Sequence, residues 1–144
     1  MAGLPGYLGK FVLGSTTVNE MVDWSVSGMT NELLEDTQLT DTFKSFVHGV
    51  GDGGTVTVHG WYDDDDAGGQ DAVIAAWIAK TNASIAQGGA DDPKLYFSAT
   101  GYWVLSAGAE LLVEGVEIGA SVGGLVEITF TFRVSGGYFS EYSA

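Results

Sequence analysis

The chain contains no cysteine. That excludes disulfide scaffolds, zinc ribbons and thiol nucleophiles. Proline occurs only twice, whereas glycine occurs 22 times in 144 residues, about twice its ordinary share of ~7%. Many glycines with few prolines suit a β-rich chain with many turns, not a flexible linker. Positive charge is scarce: Lys10, Lys44, Lys80, Lys94 and Arg133 stand against 19 acids. No two bases are adjacent, so there is no basic patch for phosphate contacts. Such a surface repels nucleic acid and anionic membranes rather than gripping them. No apolar run reaches the ~18 residues of a membrane helix. The start, MAGLPGYLGK, lacks the cationic start and apolar run of a signal peptide, and Ala2 stands where myristoylation needs glycine. A soluble protein made in a cytoplasm is expected.

What is present is a globular composition, 45% hydrophobic and 17% charged. Residues 1–144 read as one domain, long enough to hold a core without disulfide or metal. Strand patterns recur along it. YLGKFVL (7–13) is a first strand. EMVDWSVSGM (20–29) alternates Val22, Trp24 and Val26 against Asp23, Ser25 and Ser27. TVTVHGWY (55–62), KLYFSATGYWVL (94–105), AELLVEGVEI (109–118) and LVEITFTFRV (125–134) follow. In the last, Val126, Ile128, Phe130, Phe132 and Val134 point one way and Glu127, Thr129, Thr131 and Arg133 the other. One helix is predicted over about 70–87, with Val73, Ile74, Trp77, Ile78 and Ile85 as its apolar face, Asp71 in its first turn and Gly88-Gly89 as its stop. Residues 30–50 read as a long loop or a short extended surface segment, a length that is usually functional. The fold class is mainly β, a β-sandwich or barrel with one flanking α-helix.

Four consecutive aspartates, Asp63 to Asp66, are the most conspicuous candidate site. The calcium-loop pattern requires acids at positions 1, 3 and 5, Gly at 6 and Glu at 12. Starting at Asp63 it places Ala67 at position 5 and Ile74 at position 12, so Asp63 and Asp65 are weak calcium candidates only. The plainer reading is a solvated turn feeding a helix N-terminus. As catalytic carboxylates they lack environments that separate their pKa values and any nearby base or nucleophile. GVGDGG (49–54) fits G-x-G-x-x-G, yet a strand follows it where the dinucleotide fingerprint needs a helix. His48 and His59 alone do not specify a zinc site. The sequon at Asn82 lies inside the predicted helix. No nucleophile, base and orienting group assemble, so no enzyme and no cofactor are expected.

The order of these segments carries more than any one of them. In DTFKSFVHGVGDGGTVTVHGWYDDDDAGGQDA, Phe43, Lys44 and Phe46 precede the glycine-rich turn, the strand Thr55 to Gly60, and the Tyr62-Asp63 pair before an acidic loop. The helix from Gln70 comes next, and VEGVEIGASVGGLVEITFTFRVSGGY closes the chain. Taken together, residues 20 to 138 resemble the tail tube proteins (major tail proteins) of long-tailed bacteriophages.

The resemblance implies a β-sandwich with a flanking helix and a structural role. Six copies would form a ring around a shared inner β-barrel, and stacked rings would conduct double-stranded DNA without binding it specifically. The implied partners are further copies of the chain and other tail proteins: tape measure, terminator, and baseplate or tip. The implied location is the virion tail, after synthesis in the host bacterial cytoplasm. On this reading Glu127, Thr129, Thr131 and Glu114 line the lumen, and Arg133 sits near a rim or in an intersubunit pair. The 30–50 segment is an assembly arm bearing Leu33, Leu34, Leu39, Phe43 and Phe46. LVEITFTFRV, with few guarding charges, is a strand whose edge needs a partner, which ring closure would supply. Two alternatives remain open: another virion protein (tail terminator, neck or decoration), and a calcium-dependent carbohydrate-binding sandwich using Asp63 to Asp66 with Trp24, Trp61 or Trp103.

Overall fold

A strand with apolar side chains on one face and polar ones on the other must lay the apolar face on something. Here it lies on a second sheet. The computed structural model describes residues 10–13, 16–18, 20–65, 69–80, 93–98, 101–106 and 109–142. Its strands are β1 (Lys10–Leu13), β2 (Thr16–Thr17), β3 (Met21–Ser27), β4 (Thr30–Glu35), β5 (Phe46–Asp52) and β6 (Thr55–Trp61). The helix α1 (Gln70–Ala79) follows, then β7 (Lys94–Tyr96), β8 (Tyr102–Leu105), β9 (Glu110–Gly119), β10 (Glu127–Ser135) and β11 (Phe139–Tyr142). One sheet has the order β11-β8-β7-β1-β2, the second β3-β6-β10-β9, and β4 and β5 pair only with each other. The architecture is a mainly β sandwich with one helix, as expected.

The core lies between the two larger sheets. From β10 it takes Ile128, Phe130, Phe132 and Val134, and from β6 Val56 and Val58. The other sheet contributes Phe11, Leu95, Leu105 and Phe139. The rings of Phe11 and Phe132 meet across the interface with centroids 5.5 Å apart. At one margin the Trp24 indole N–H on β3 donates to the Tyr96 carbonyl on β7 at 2.9 Å, so a polar bond also ties sheet to sheet.

Several expectations need correction. Val22 is exposed, because the register slips between Met21 and Asp23 and Met21 takes the inward place. Such an extra residue re-aims the side chains on either side of it. Val126 precedes β10 and is exposed. The run 94–105 is a hairpin: β7 and β8 pair antiparallel, and the turn closes with the Gly101 N–H on Ser98 Oγ at 2.8 Å. The 30–50 segment is also a hairpin. Leu34 lies opposite Val47 and Glu35 opposite Phe46, and Ser45 N–H donates to Thr37 Oγ1 at 2.9 Å across its tip. Residues 30 to 51 are exposed throughout.

The helix is shorter than predicted. Lys80 adopts a left-handed conformation (φ 57°) and its N–H returns to the Ala76 and Trp77 carbonyls, which ends α1 as a left-handed cap does. Ile85 and the Gly88-Gly89 stop lie outside the described residues. Its buried face is Gln70, Val73 and Ala76, while Trp77 and Ile78 are 48% and 66% exposed. Residues 72 to 79 are apolar on every side, so periodicity alone could not select the face that packs.

Phe132→Ala should lower the unfolding free energy by about 3–5 kcal/mol, whereas Phe43→Ala, on the exposed hairpin, should change it by less than ~0.5 kcal/mol. Urea denaturation of both variants checks this.

Candidate assembly surfaces and lumen face

The polar side of the four-stranded sheet is built by cross-strand register. Glu127 lies opposite Trp61 on β6 and Gly119 on β9, Thr129 opposite His59 and Glu117, and Thr131 opposite Thr57 and Gly115. On β3, Asp23 and Ser25 lie opposite His59 and Thr57. The result is a floor of Thr and Ser with the carboxylates Asp23, Glu117 and Glu127. Three of the lumen candidates, Glu127, Thr129 and Thr131, therefore share one face. Glu114 is the unmatched residue where the register jumps from Thr131–Gly115 to Phe132–Val113, and it is exposed. Asp23, His59 and Glu117 join this face, although none of them was named as a lumen candidate; strand pairing, which no local pattern reveals, brings them together. His59 stands between two acids, with Nδ1 3.5 Å from Asp23 Oδ2 and Nε2 3.6 Å from Glu127 Oε1.

Cations are kept off this floor or neutralised at its end. Arg133 pairs with Asp52 of its own chain and donates to Thr55 Oγ1 at 3.2 Å. β5 thus delivers an acid within the same chain to Arg133, which was expected near a rim or in an intersubunit pair. Lys10 and Lys94 belong to the other sheet, where Lys10 Nζ lies 4.4 Å from the Tyr96 ring centroid and Lys94 Nζ 5.2 Å from that of Tyr102.

The sheet edges are not where the sequence suggested. β10 is paired on both sides, to β6 and β9, so LVEITFTFRV needs no external partner. Within this four-stranded sheet it is β3 and β9 that have no strand on their outer sides among the described residues. β9 is ten residues long, with no lysine or proline and with Glu110, Glu114 and Glu117 along it.

The aspartate turn has a scaffold role. The Asp65 N–H donates to Asp63 Oδ1 at 3.0 Å, and the Asp63 N–H donates to Gln70 Oε1 at 3.0 Å. The buried Gln70 in turn donates to the Trp61 carbonyl at 2.8 Å. One side chain thereby fastens the end of β6, the turn and the first turn of α1. Carboxylate oxygens of Asp63, Asp64 and Asp65 come within 4.8 Å of one another; Asp66 lies outside the described residues. Ile74, at the position a calcium loop gives to glutamate, packs against the core instead.

GVGDGG is a crossing point rather than a phosphate loop. Gly54 has φ +92°, and a Cβ there would collide with the Ser27 carbonyl; one on Gly53 would collide with the Gly137 carbonyl. The Asp52 carboxylate accepts the Gly54 N–H at 2.9 Å. The glycines let the hairpin leave the sheet where two other segments pass close by.

Trp24, Trp61 and Trp103 are not gathered on one face. Trp24 and Trp103 pack against the core, and only Trp61 belongs to the open face. On the hairpin, register puts Leu33, Glu35, Phe46 and His48 on one face and Leu34 and Val47 on the other. Leu39 and Phe43 sit at the tip, and all five arm candidates are exposed.

No family model and no curated protein matches this chain. Solved structures do. A chain from the tail of an empty gene transfer agent particle, determined with C6 symmetry, matches at TM-score 0.69 with 14% identity, over 98% of this chain and 100% of that one. The tube-terminating cap of the anti-feeding prophage matches at 0.70, again with 14% identity, over 100% and 93%. The SPP1 tail tube matches at 0.60 with 14% identity, over 99% and 81%. The fold is that of tail tube proteins. Within the tail tube fold of this chain, the aspartates are a joint between strand and helix, and the exposed elements among the described residues include the edges of the four-stranded sheet, the β4-β5 hairpin and one side of α1.

Calcium at ~1 mM, a level that fills weak extracellular sites, should leave the melting temperature unchanged. A rise with calcium concentration would establish a real site.

Proposed function

We propose that this chain is a structural virion subunit that assembles into stacked hexameric rings and forms a tail tube. The observation that carries this reading is the pair of open edges on one sheet: β3 and β9 flank the same four strands. Joining β9 of one copy to β3 of the next continues the sheet, and closure of the ring removes both edges of that sheet. Six copies follow the C6 symmetry of the gene transfer agent tail with the same fold. No enzymatic role is proposed.

The lumen is the polar face of that sheet. Asp23, Glu117 and Glu127 would repeat around the ring, with Glu114 beside them, and Arg133 is held by Asp52. DNA sliding past such a wall gains nothing from counterion release, so no point on the path holds it. Screening limits the effect to about 8 Å at physiological salt, so only lumen-facing acids act on the passing duplex. The tube would meet tape measure, terminator, and baseplate or tip proteins at its bore and ends. It would be made in the host bacterial cytoplasm and reside in the virion.

A second reading has its own support. The anti-feeding prophage structure that matches is a cap that terminates a tube, so a terminator made of one ring is the alternative. Negative-stain microscopy of concentrated protein separates the two. Hollow tubes are expected; single rings that never stack would indicate the cap, and a monomer at every concentration would sink both.

Glu127→Lys should leave tubes intact and impair DNA ejection from particles carrying it. Ejection at the normal rate would remove Glu127 from the lumen.

A further inference from the structure

Two of the exposed apolar surfaces bear on contacts beyond the pairing of β3 with β9. The first is the hairpin face formed by Leu33, Glu35 and Phe46. A two-stranded hairpin is marginally stable by itself, and this one presents large apolar groups to solvent. The second is a cleft of about 530 Å3 between α1 and β9, lined by Ala76, Trp77, Ile78, Lys80, Leu112 and Val113. Exposed apolar patches of this kind mark interaction sites.

The two surfaces are complementary in charge as well as in polarity. The hairpin is acidic, with Glu32, Glu35, Asp36 and Asp41 against Lys44, and Glu35 lies on the same face as Leu33 and Phe46. Among the described residues lining the cleft there is one charged group, Lys80, and no carboxylate. Lys80 is held at the left-handed end of α1, beside the exposed Trp77 and Ile78. The hairpin connects β3 to β6, whereas the cleft flanks β9 at the other edge of the sheet. A contact between them is therefore one between copies. It is also heterologous, a different patch on each partner, and so it propagates into rings or filaments.

We infer that the Leu33–Glu35–Phe46 face of one copy's hairpin seats in the α1–β9 cleft of another copy, with Glu35 paired to Lys80. Phe46 and Leu33 would cover Trp77, Ile78 and Leu112. This rests on the tube reading and names the receptor for its arm.

The cysteine-free chain makes the test direct. Phe46→Cys subunits co-assembled with Trp77→Cys subunits should form disulfide-linked dimers on mild oxidation, whereas Val47→Cys, on the opposite hairpin face, should not link to Trp77→Cys. Glu35→Lys and Lys80→Glu should each raise the concentration at which tubes appear by about fivefold, and the double variant should restore it. All these side chains are exposed, and circular dichroism of the variants confirms that each folds. If the wild-type chain forms tubes but co-assembled Phe46→Cys and Trp77→Cys stay unlinked, or the charge swap gives no rescue, the contact is overturned and the tube reading stands. A wild-type chain that never associates overturns both.

Discussion

The outer edges of β3 and β9 present backbone N–H and C=O groups with no partner strand among the described residues. An edge of this kind templates pairing with another chain, and natural proteins blunt it with lysine, proline or a covering element. β9 has neither lysine nor proline. Its Glu110, Glu114 and Glu117 and its bulge at Glu114 limit random pairing while leaving ten residues of strand. Everything else in the molecule is arranged around this sheet. The second sheet and α1 cover its apolar face, the polar face stays open, and the hairpin projects from between two of its strands.

Charge follows the same geometry. Of five cations, Lys10 and Lys94 lie over tyrosines on the opposite sheet, Lys44 is at the hairpin tip, Lys80 ends the helix, and Arg133 is held by Asp52. The polar face of the four-stranded sheet keeps its acids. An acidic protein reads from composition as one that avoids DNA. In the tube proposed above, the same charge would line a passage that DNA does not stick to.

Much of the architecture was legible. The alternation in β6 and β10 is regular enough to orient both strands, and the buried residues Ile128, Phe130, Phe132 and Val134 are those the pattern selects. Three kinds of feature were not. Val22 changed place because a bulge shifts the period by one residue. Phe46 to Asp52 escaped notice as a strand because its alternation is broken by two glycines and it buries nothing. The exposed side of α1 was misjudged because a helix apolar all round offers no moment to read. The aspartate turn was placed correctly between strand and helix, yet its anchor, Gln70, carries no signal that distinguishes it from any other glutamine.

The sequence by itself determined the class of the fold, the polar and apolar faces of its best strands, the absence of a basic surface, and the scarcity of groups that could do chemistry. These depend on local period and on composition, which the order of residues carries directly. Only the tertiary structure decided which strands are edges, which acids share a face, and which apolar groups stay outside. Those depend on pairing between residues as distant as Glu127 and Trp61, or Arg133 and Asp52. Strand order and register are set by the burial of the whole core at once, and no window of the sequence contains them.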